Sequence, residues 1–335
     1  MARLAFYTQT YNAEKHIAKA IESVLSQTYT DFVYYINDDC SSDSTVEIIK
    51  KYAEQDSRII AHFSSTNKIM DMYNEYLEKI IHSDAEYLCY LDNDDWYEPQ
   101  FAEKMIKAIN IHGVDMVACA SDYIDEETLN VLGRRPNFTA IIQRNDYDVY
   151  FRHMHVFMRP LWGKIYRLSV LRNNDIKFKT DMIIGVDTVF VFDFLRNAKG
   201  LYISGEIMHH YLVRSNSQSR TYMSKMFDSD IAQHNHTVEW LISNDASTAE
   251  NNLFLAVVFI NALRDCINIL FLSKISLADK ITELREILSK PIVEQQFSLI
   301  YSSDDSEKLK LADAALTYID NVCSLLLVDS EKGNL

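Results

Sequence analysis

An acidic run at residues 92–95, with the sequence DNDD, places three carboxylates in four positions directly after an apolar segment. Carboxylates crowded in this way repel one another unless a cation neutralises them. Hard oxygen ligands suit Mg²⁺ or Mn²⁺, and a metal held by only one or two carboxylates keeps positions free for diphosphate oxygens. The alternative is a solvated turn that caps a helix beginning near Trp96, because Asp is a frequent N-cap residue.

The glycines that would hold phosphates on backbone N–H groups are missing. The chain has only 7 glycines, contains neither GxGxxG nor GxxxxGK, and its first βα turn reads TQTYNAEKHI. These absences disfavour a dehydrogenase, a P-loop NTPase and a nucleotidylyltransferase with a glycine-rich first loop.

The elements that must position the acidic run alternate between strands and helices. Strands are predicted at residues 4–8, 32–36, 58–63 and 87–91, and helices at residues 13–26, 44–53 and 69–81. Single helices between strands imply βαβ crossovers and a mostly parallel sheet, whose ligands bind at the carboxyl ends of the strands. Both acidic clusters, NDDCSSDST and LDNDD, fall at such ends.

The later part of the chain changes character. Residues 100–111 predict a helix that Gly113 ends, residues 114–125 predict another strand, and the pattern beyond about Met223 is purely helical. The most apolar stretch, residues 253–272, contains Arg264 and Asp265, so we interpret it as a core helix and predict no transmembrane segment. We therefore expect an α/β domain at residues 1–222 and an α-helical domain at residues 223–335.

Composition and charge limit the function further. The chain is 48% hydrophobic and 24% charged, the balance of a folded soluble protein, and its net charge is −15. This acidity disfavours nucleic acid and anionic lipid as partners, so an anionic substrate needs a local metal or a few arginines. The five cysteines form no CxxC pair and the first residues show no export signal, so we expect a cytoplasmic protein.

The motifs, taken together, match a known family in order and spacing. YTQTYNAEKHIAKAIESVLSQTYTDFVYYINDDCSSDST, followed by EYLCYLDNDDWYEP, resembles the N-terminal half of family 2 glycosyltransferases with the GT-A (Rossmann-like) fold. The resemblance extends over about residues 1–222. It implies transfer of a sugar, with inversion, from a nucleoside diphosphate donor to a hydroxyl of a glycan, polymer or protein. UDP is the expected nucleotide.

The resemblance also implies roles at the nucleotide. Tyr11 and Asp39 would contact the base, and Thr10 would line the same pocket. Asp92 would lie near the ribose and join Asp94 in binding the Mn²⁺ or Mg²⁺ that bridges the diphosphate. These implied roles agree with the metal chemistry of the acidic run.

The resemblance implies Asp187 as the catalytic base. LWGKIYRLSVLRNNDIKFKTDMIIGVDTVFVFDFL resembles the segment in which the family has a Glu-Asp pair before a helix, and here that pair is Val186 and Asp187. Inverting transfer needs one carboxylate to accept the acceptor proton and a cationic clamp on the leaving diphosphate. The alternative is that Asp187 only caps a helix at residues 188–196.

HHYLVRSNSQSRTY, residues 209–222, resembles the loop that closes over the diphosphate in the family. Arg214, Ser217 and Ser219 would be its phosphate contacts, since Arg presents paired donors to phosphate oxygens and hydroxyls add neutral ones. His210 is a further candidate metal ligand. A surface loop with an incidental arginine is the alternative. Asp95 is expected to support the acidic turn.

Departures from the family pattern add further candidates. TNKIMDMYNEYLEK keeps Asn67 and Asn74 for the donor pocket but lacks the usual glycine and arginine, and Cys40 replaces the turn glycine of VDDGS. His155 and Trp162 are candidates for the acceptor side, where an aromatic face can stack on a sugar. A core position is an equal alternative for Trp162.

Two other functions remain open at this stage. A Mg²⁺-dependent phosphohydrolase or nucleotidyltransferase could use the same carboxylates and would release phosphate or pyrophosphate. A catalytically inactive sugar-nucleotide or glycan-binding module would bind UDP and leave the donor intact, as the missing Glu before Asp187 suggests. The helical domain is interpreted as orienting an acceptor or forming a homo-oligomer.

Overall fold

The computed structural model describes residues 3–66, 69–214 and 221–332. The chain divides into two compact units. One contains Met1–Thr180 and Asp187–Ser215, and the other contains Asp181–Val186 and Asn216–Leu335. We refer to them as the sheet unit and the helical unit. The domain boundary expected after residue 222 stays a prediction.

The described residues of the sheet unit form strands that alternate with helices. Its strands are β1 (Leu4–Thr10), β2 (Phe32–Asp38), β3 (Ile59–Phe63), β4 (Tyr87–Tyr90), β5 (Trp96–Tyr97), β6 (Met116–Asp125), β7 (Val131–Arg134), β8 (Ala140–Gln143), β9 (Lys164–Arg167) and β10 (Gly200–Val213). Its helices are α1 (Ile17–Leu25), α2 (Thr45–Gln55), α3 (Ile69–Ile81), α4 (Phe101–His112), α5 (Tyr147–Met158), α6 (Leu168–Asn174) and α7 (Val186–Asn197).

The strands form one sheet in the order β3-β2-β1-β4-β9-β6-β10-β5, with β7 paired to β6 and β8 paired to β10. The neighbours among β3, β2, β1 and β4 are parallel, as are β6 and β10. Strand β9 runs antiparallel to both β4 and β6 and so joins the two parallel groups. The predicted α/β fold with a sheet flanked by helices is confirmed. The sheet is mixed where a mostly parallel one was predicted, because each antiparallel pair brings in β5, β7, β8 or β9.

The central parallel strands β1 and β4 are buried on both faces, which requires nearly continuous apolar sequence. Every residue of β4 is buried, and in β1 only Gln9 is partly exposed. Helix α1 covers one face with Ile17, Ala20, Ile21 and Val24, spaced one helical turn apart. Helix α4 ends where predicted, because Gly113 takes a left-handed φ of 64°.

Helix α1 begins four residues later than the sequence pattern predicts. The preceding residues are bound to the loop that follows β2, where the Ala13 N–H donates to Thr45 Oγ1 at 2.8 Å. The Glu14 N–H similarly donates to Asp43 Oδ2 at 3.1 Å. These side-chain acceptors replace helical partners and join the first two βα loops at the carboxyl edge of the sheet.

The helical unit contains α8 (Met226–Ser243), α9 (Ala249–Leu272), α10 (Leu277–Ser289), α11 (Pro291–Tyr301) and α12 (Ser306–Lys332). Two starts carry side-chain caps: Thr248 accepts from the Asn251 N–H, and Ser276 accepts from the Asp279 N–H. The other four helices of the unit all pack against α9. The helical C-terminal region expected from the sequence is confirmed.

Helix α9 contains the stretch interpreted as a core helix. By length and composition it could cross a membrane, and it is the one helix of the described chain that passes this test. Leu263, Ile267 and Leu270 on α9 belong to the buried core of the helical unit. The absence of a transmembrane segment stays a prediction.

Gly200 gives a test of the sheet register, because β10 begins there opposite Gln143 of β8. A Cβ atom at Gly200 would lie 2.5 Å from the Ile142 carbonyl oxygen, which is backbone and cannot rotate away. We expect Gly200→Ala to lower the free energy of unfolding by about 1–3 kcal/mol. Urea denaturation followed by tryptophan fluorescence measures the change.

Gly133→Ala is the matched control, because its Cβ would meet only Tyr123 Cδ2, at an ordinary 3.8 Å. Loss of a glycine from a strand at an unstrained position is expected to leave stability unchanged or to raise it by about 0.5–1 kcal/mol. Equal destabilisation by both substitutions would contradict the close approach of β10 and β8.

Candidate functional site

The acidic turn follows β4 and is tied to the neighbouring strand β1. The Thr8 hydroxyl donates to the Leu91 carbonyl at 2.8 Å, and the Asn93 amide donates to the Gln9 carbonyl at 3.2 Å. Ligand oxygens of Asp92, Asp94 and Asp95 lie within 4.8 Å of one another. The turn leads into β5, and α4 begins only at Phe101. The alternative that the turn caps a helix beginning near Trp96 is therefore wrong.

Asp95 is buried and attached to strand β10. Its Oδ1 accepts the Leu212 N–H at 2.8 Å, and its Oδ2 lies 3.1 Å from His209 Nε2. Burial raises the pKa of Asp95, and the neighbouring Asp92 and Asp94 raise it further. Burial lowers the pKa of His209, whose ring stacks on Trp162 with centroids 4.2 Å apart. Asp95 thus anchors the turn, while the other two carboxylates face outward.

Asp94 is paired with Arg214, which directly follows β10. The Arg214 Nη2 lies 2.6 Å from Asp94 Oδ2, and both side chains are largely buried. Burial raises the pKa of Asp94, and the Arg214 charge opposes this increase. The structure therefore brings together the carboxylate assigned to the metal and the arginine assigned to the phosphates.

Asp92 also has a raised pKa. Burial raises the pKa of Asp92 most, and the charges of Asp94 and Asp187 raise it further, to about 8, against the opposing charge of Arg214. Its side chain nevertheless remains accessible to solvent. Two neighbouring carboxylates, Asp92 exposed and Asp94 partly buried, fit a hard divalent cation such as Mg²⁺ or Mn²⁺. Asp92 and Asp94 are the residues that would hold it.

His210, the further candidate metal ligand, is not brought to this cluster. Its Nε2 lies 2.8 Å from Glu98 Oε1, and its ring stacks on Trp96 at a centroid distance of 5.1 Å. Successive side chains of β10 point to opposite faces, so His209 reaches Asp95 while His210 points away from it.

Asp187 lies in the first turn of α7, which begins at Val186. The alternative that Asp187 caps a helix beginning at residue 188 is therefore wrong. Burial raises the pKa of Asp187 to about 6, against the opposing effects of the Lys164 charge and a hydrogen bond from the Leu161 N–H. The Asp187 charge contributes to the raised pKa of Asp92, so the two carboxylates lie near each other.

The residues assigned to the nucleotide base lie at the carboxyl ends of β1 and β2. Thr10 and Asp39 are buried, and the Asp39 N–H donates to the Thr10 carbonyl at 2.9 Å. Tyr11 beside them is 40% exposed, so its ring is available to a ligand. The buried Thr10 Oγ1 and Gln9 Nε2 find no hydrogen-bond partner among the described residues. Such groups are costly unless a ligand or water satisfies them.

Cys40 keeps the backbone shape for which the family uses glycine. Its φ is 65°, in the left-handed region that costs a non-glycine residue about 1–2 kcal/mol. The next residue holds the turn, because the Ser41 N–H and hydroxyl donate to the two carboxylate oxygens of Asp38 at 2.9 and 2.5 Å. The substitution is accommodated without loss of the turn.

Both acceptor-side candidates, His155 and Trp162, are part of the core. Trp162 is only 6% exposed, with its ring between His209 and the Arg135 guanidinium. His155 is buried against Phe151, and burial lowers its pKa to about 3. Neither side chain presents a face to a sugar, so the acceptor-side prediction is wrong for both and the core alternative holds for Trp162.

Asn74, kept from the donor-pocket pattern, binds backbone. Its amide donates to the Phe178 carbonyl at 2.9 Å and accepts the Phe178 N–H at 2.8 Å. Three other assigned residues, Asn67, Ser217 and Ser219, lie outside the described residues.

Sequence reasoning did not single out two residues that shape the site. His209 supports Asp95 from β10, and Lys164 lies fully buried near Asp187. The available signals were a His-His pair in an otherwise apolar strand and a lysine between Gly163 and Ile165. A charged residue inside a core strand is rare enough to indicate a specific partner.

Comparison with known proteins identifies the family. The model of glycosyl transferase family 2 matches residues 7–174. The putative glycosyltransferase EpsH of Bacillus subtilis (strain 168) is 23% identical over 237 residues, covering 70% of this chain and 68% of EpsH. The poly(ribitol-phosphate) beta-N-acetylglucosaminyltransferase TarS of Staphylococcus aureus is 21% identical over 228 residues, covering 67% of this chain and 38% of TarS.

Solved structures show the same fold. Residues 1–349 of S. aureus TarS in complex with UDP match with a TM-score of 0.66 and 20% identity, over 99% of this chain and 92% of that one. The mannosyltransferase PcManGT of Pyrobaculum calidifontis, in complex with GDP-Man and Mn²⁺, matches with a TM-score of 0.52 and 12% identity, over 97% and 87%. The family model spans half of the chain, and the protein belongs to glycosyl transferase family 2 and has the GT-A fold.

Proposed function

We propose that the protein transfers a sugar, with inversion, from a UDP-linked donor to a hydroxyl group of a glycan, a cell-surface polymer or a protein. One observation carries this proposal: the acidic turn and the Asp187 carboxylate face one another closely enough for the charge of Asp187 to raise the pKa of Asp92. A metal-binding carboxylate and a candidate base are both needed at one reacting centre. Solved complexes of TarS with UDP and UDP-GlcNAc support UDP as the nucleotide to test first.

The donor would bind along the carboxyl edge of the sheet. The nucleotide base would lie against the Tyr11 ring, and Asp39 and Thr10 would hydrogen-bond to its polar edge. The Thr10 Oγ1, which has no partner among the described residues, is available for such a bond. Asp92 would face the ribose, and Asn67 would line the sugar pocket. Arg214, Ser217 and Ser219 would contact the phosphates.

A bound Mn²⁺ or Mg²⁺ would supply positive charge to the leaving diphosphate. Asp92 and Asp94 would hold the metal through carboxylate oxygens. Arg214 already lies 2.6 Å from Asp94 and would bring a guanidinium to the same phosphates. This local arrangement lets a protein with a net charge of −15 bind an anionic donor.

Asp187 would act as the base. As the acceptor oxygen forms a bond to the anomeric carbon, its proton passes to the Asp187 carboxylate, and the bond from that carbon to the diphosphate breaks with its electrons leaving on the diphosphate. The raised pKa of Asp187, about 6, makes it a stronger base than an ordinary aspartate while leaving it ionised at neutral pH. Attack opposite the leaving group inverts the configuration.

We further propose a cytoplasmic location, since all five cysteines are free thiols in the structure. The helical unit would orient an acceptor or form a homo-oligomer. Nucleic acid is not an expected partner of so acidic a chain.

A thermal-shift titration with UDP, GDP, CDP and dTDP, each with and without Mn²⁺, tests the proposal. We expect a Mn²⁺-dependent rise in melting temperature with UDP, because saturating ligand at about 100 times its Kd stabilises the native state by about 2.7 kcal/mol. Phosphate or pyrophosphate release would favour a hydrolase or nucleotidyltransferase. UDP binding with an intact donor would favour an inactive binding module.

Asp94→Asn is expected to abolish the Mn²⁺-dependent part of UDP binding, because the amide loses the charge that holds a divalent cation. The same thermal-shift titration measures it. Asp181→Asn removes an exposed carboxylate outside the acidic turn and is the matched control. UDP binding by Asp94→Asn with unchanged metal dependence would remove Asp94 from the metal site.

Asp187→Asn is expected to leave UDP binding intact and to reduce transfer by about 10²–10⁴-fold, as for loss of a general base. In the parent enzyme, the base is active only when ionised. The rate should therefore fall as the pH drops through about 6, the pKa of Asp187, instead of near the usual pKa of an aspartate. Steady-state kinetics between pH 5 and pH 8 give both results, and parallel loss of UDP binding would make Asp187 structural.

A further inference from the structure

The backbone of residues 159–163, which precedes β9, is hydrogen-bonded around the start of α7. We refer to it as the 159–163 segment. The Thr188 hydroxyl of α7 donates to the Arg159 carbonyl at 3.1 Å, and the Tyr166 hydroxyl donates to the Leu161 carbonyl at 3.0 Å. At its end, the Gly163 N–H donates to the Tyr97 hydroxyl at 3.0 Å. The segment therefore has a fixed orientation beside Asp187.

Lys164 binds the carbonyl groups on both sides of Leu161. Its side chain is fully buried, and its Nζ donates to the Pro160 oxygen at 2.6 Å and to the Trp162 oxygen at 3.2 Å. The Pro160 carbonyl and the Leu161 N–H belong to one peptide group, so they point in opposite directions. The Leu161 N–H lies on the Asp187 side of this peptide and lowers the pKa of the Asp187 carboxyl group, and the Thr188 hydroxyl, next to Asp187 in the chain, binds the same segment at Arg159. One peptide thus connects the lysine to the carboxylate.

We propose that Lys164 is a positioning residue for the reaction, which holds the Pro160–Leu161 peptide so that its N–H orients the Asp187 carboxylate toward the acceptor. This inference rests on the proposed function, because it assumes that Asp187 is the base. Lys164 is fully buried and acts through the peptide.

The physical basis is a peptide group whose oxygen accepts a hydrogen bond from Lys164 and whose N–H interacts with Asp187. A donor on the carbonyl oxygen polarises the peptide and strengthens the interaction that its N–H makes, by about a tenth to a third per bond. It also fixes the peptide plane, and displacement of a catalytic group by about 1 Å can reduce a rate by 10²-fold. An ammonium group therefore affects both the geometry and the strength of the contact to Asp187.

The charges around Asp187 agree with this role. Asp92 and the hydroxyls of Tyr73, Tyr90 and Tyr166 lie close enough to Asp187 for its charge to raise their pKa values. Lys164 is the cation of the described chain that lowers the pKa of Asp187. Burial lowers the pKa of Lys164, while the Asp187 charge raises it. Burial of a charged residue is unfavourable for folding, so an apolar side chain would be the better choice if packing were the only function.

Lys164→Met tests the inference, because Met fills a similar volume and donates no hydrogen bond. We expect kcat to fall by about 10–100-fold, with unchanged donor KM and unchanged Mn²⁺-dependent UDP binding. The acidic limb of the kcat profile should move above pH 6, since Lys164 lowers the pKa of Asp187. UDP release from UDP-GlcNAc, UDP-glucose and UDP-galactose provides the assay. Lys177→Met removes an exposed lysine paired with Asp175 and should behave as the parent.

Lys164→Gln provides a second variant, because its amide keeps a hydrogen-bond donor without the charge. We expect it to retain more activity than Lys164→Met, and if the Met variant does not fold, the Gln variant alone decides the outcome. A parent kcat and pH profile in the folded variant, or a parallel loss of UDP binding and kcat, would overturn the inference. Asp187→Asn is measured beside them: if it keeps full activity, the proposed base is wrong, whereas an inactive Asp187→Asn beside a fully active Lys164 variant refutes only the positioning role.

Discussion

Repulsion among the three carboxylates that follow β4 is the constraint on which the rest of the site depends. The negative charge of each carboxylate is compensated in a different way. Asp95 is buried, bound to the Leu212 N–H and set against His209, and its raised pKa favours the neutral form. Asp94 is paired with Arg214. Asp92 makes no ion pair among the described residues, and burial together with the charges of Asp94 and Asp187 raises its pKa to about 8.

This unequal compensation depends on the long strand β10, which supplies partners to two of the three carboxylates. Strand β10 supplies His209 and the Leu212 N–H to Asp95 and leads directly to Arg214. It is held parallel to β6 along most of its length, so its end is fixed by the sheet. A shift of β10 would simultaneously release Asp95 and withdraw the cation from Asp94. The geometry of the turn is thus a property of the sheet.

The sequence predicted the parts of the fold that depend on local pattern. Apolar runs and helical periodicity identified the parallel half of the sheet, and the acidic run was placed correctly at the end of β4. The family has glycine at the turn position that Cys40 occupies here. The left-handed φ of Cys40 shows that the turn keeps the conformation that favours glycine. These features are encoded within a few residues of one another.

Features that depend on distant residues were missed. His209 and Asp95 are far apart in the sequence and meet only because β10 pairs with β5 and β6. Trp162 and His155 carry chemistry that suits an acceptor site, but their burial follows from tertiary packing that no local pattern reveals. The hydrogen bonds of Lys164 are local in sequence, yet their purpose became visible only when Asp187 was found beside Leu161.

The environment of Asp187 also depends on an aromatic layer between the sheet and helices α3 and α7. Phe178 and Phe190 stack with centroids 4.3 Å apart, and Tyr90 packs edge-on against both. Asn74 of α3 holds the Phe178 backbone in place with two hydrogen bonds. Tyr90 of this layer interacts electrostatically with Asp187, and the burial of Asp187 favours the protonated form of its carboxyl group.

Burial and the Lys164 charge therefore shift the pKa of Asp187 in opposite directions. Desolvation alone would raise the pKa of the carboxylate further, and a protonated carboxyl group cannot accept a proton. The Leu161 N–H and the Lys164 charge limit the rise, and the resulting pKa of about 6 lies just below neutrality. A base is most effective when its pKa is close to the working pH while it stays ionised. The buried lysine is unfavourable for folding, but its charge opposes the increase in the pKa of Asp187 that burial causes.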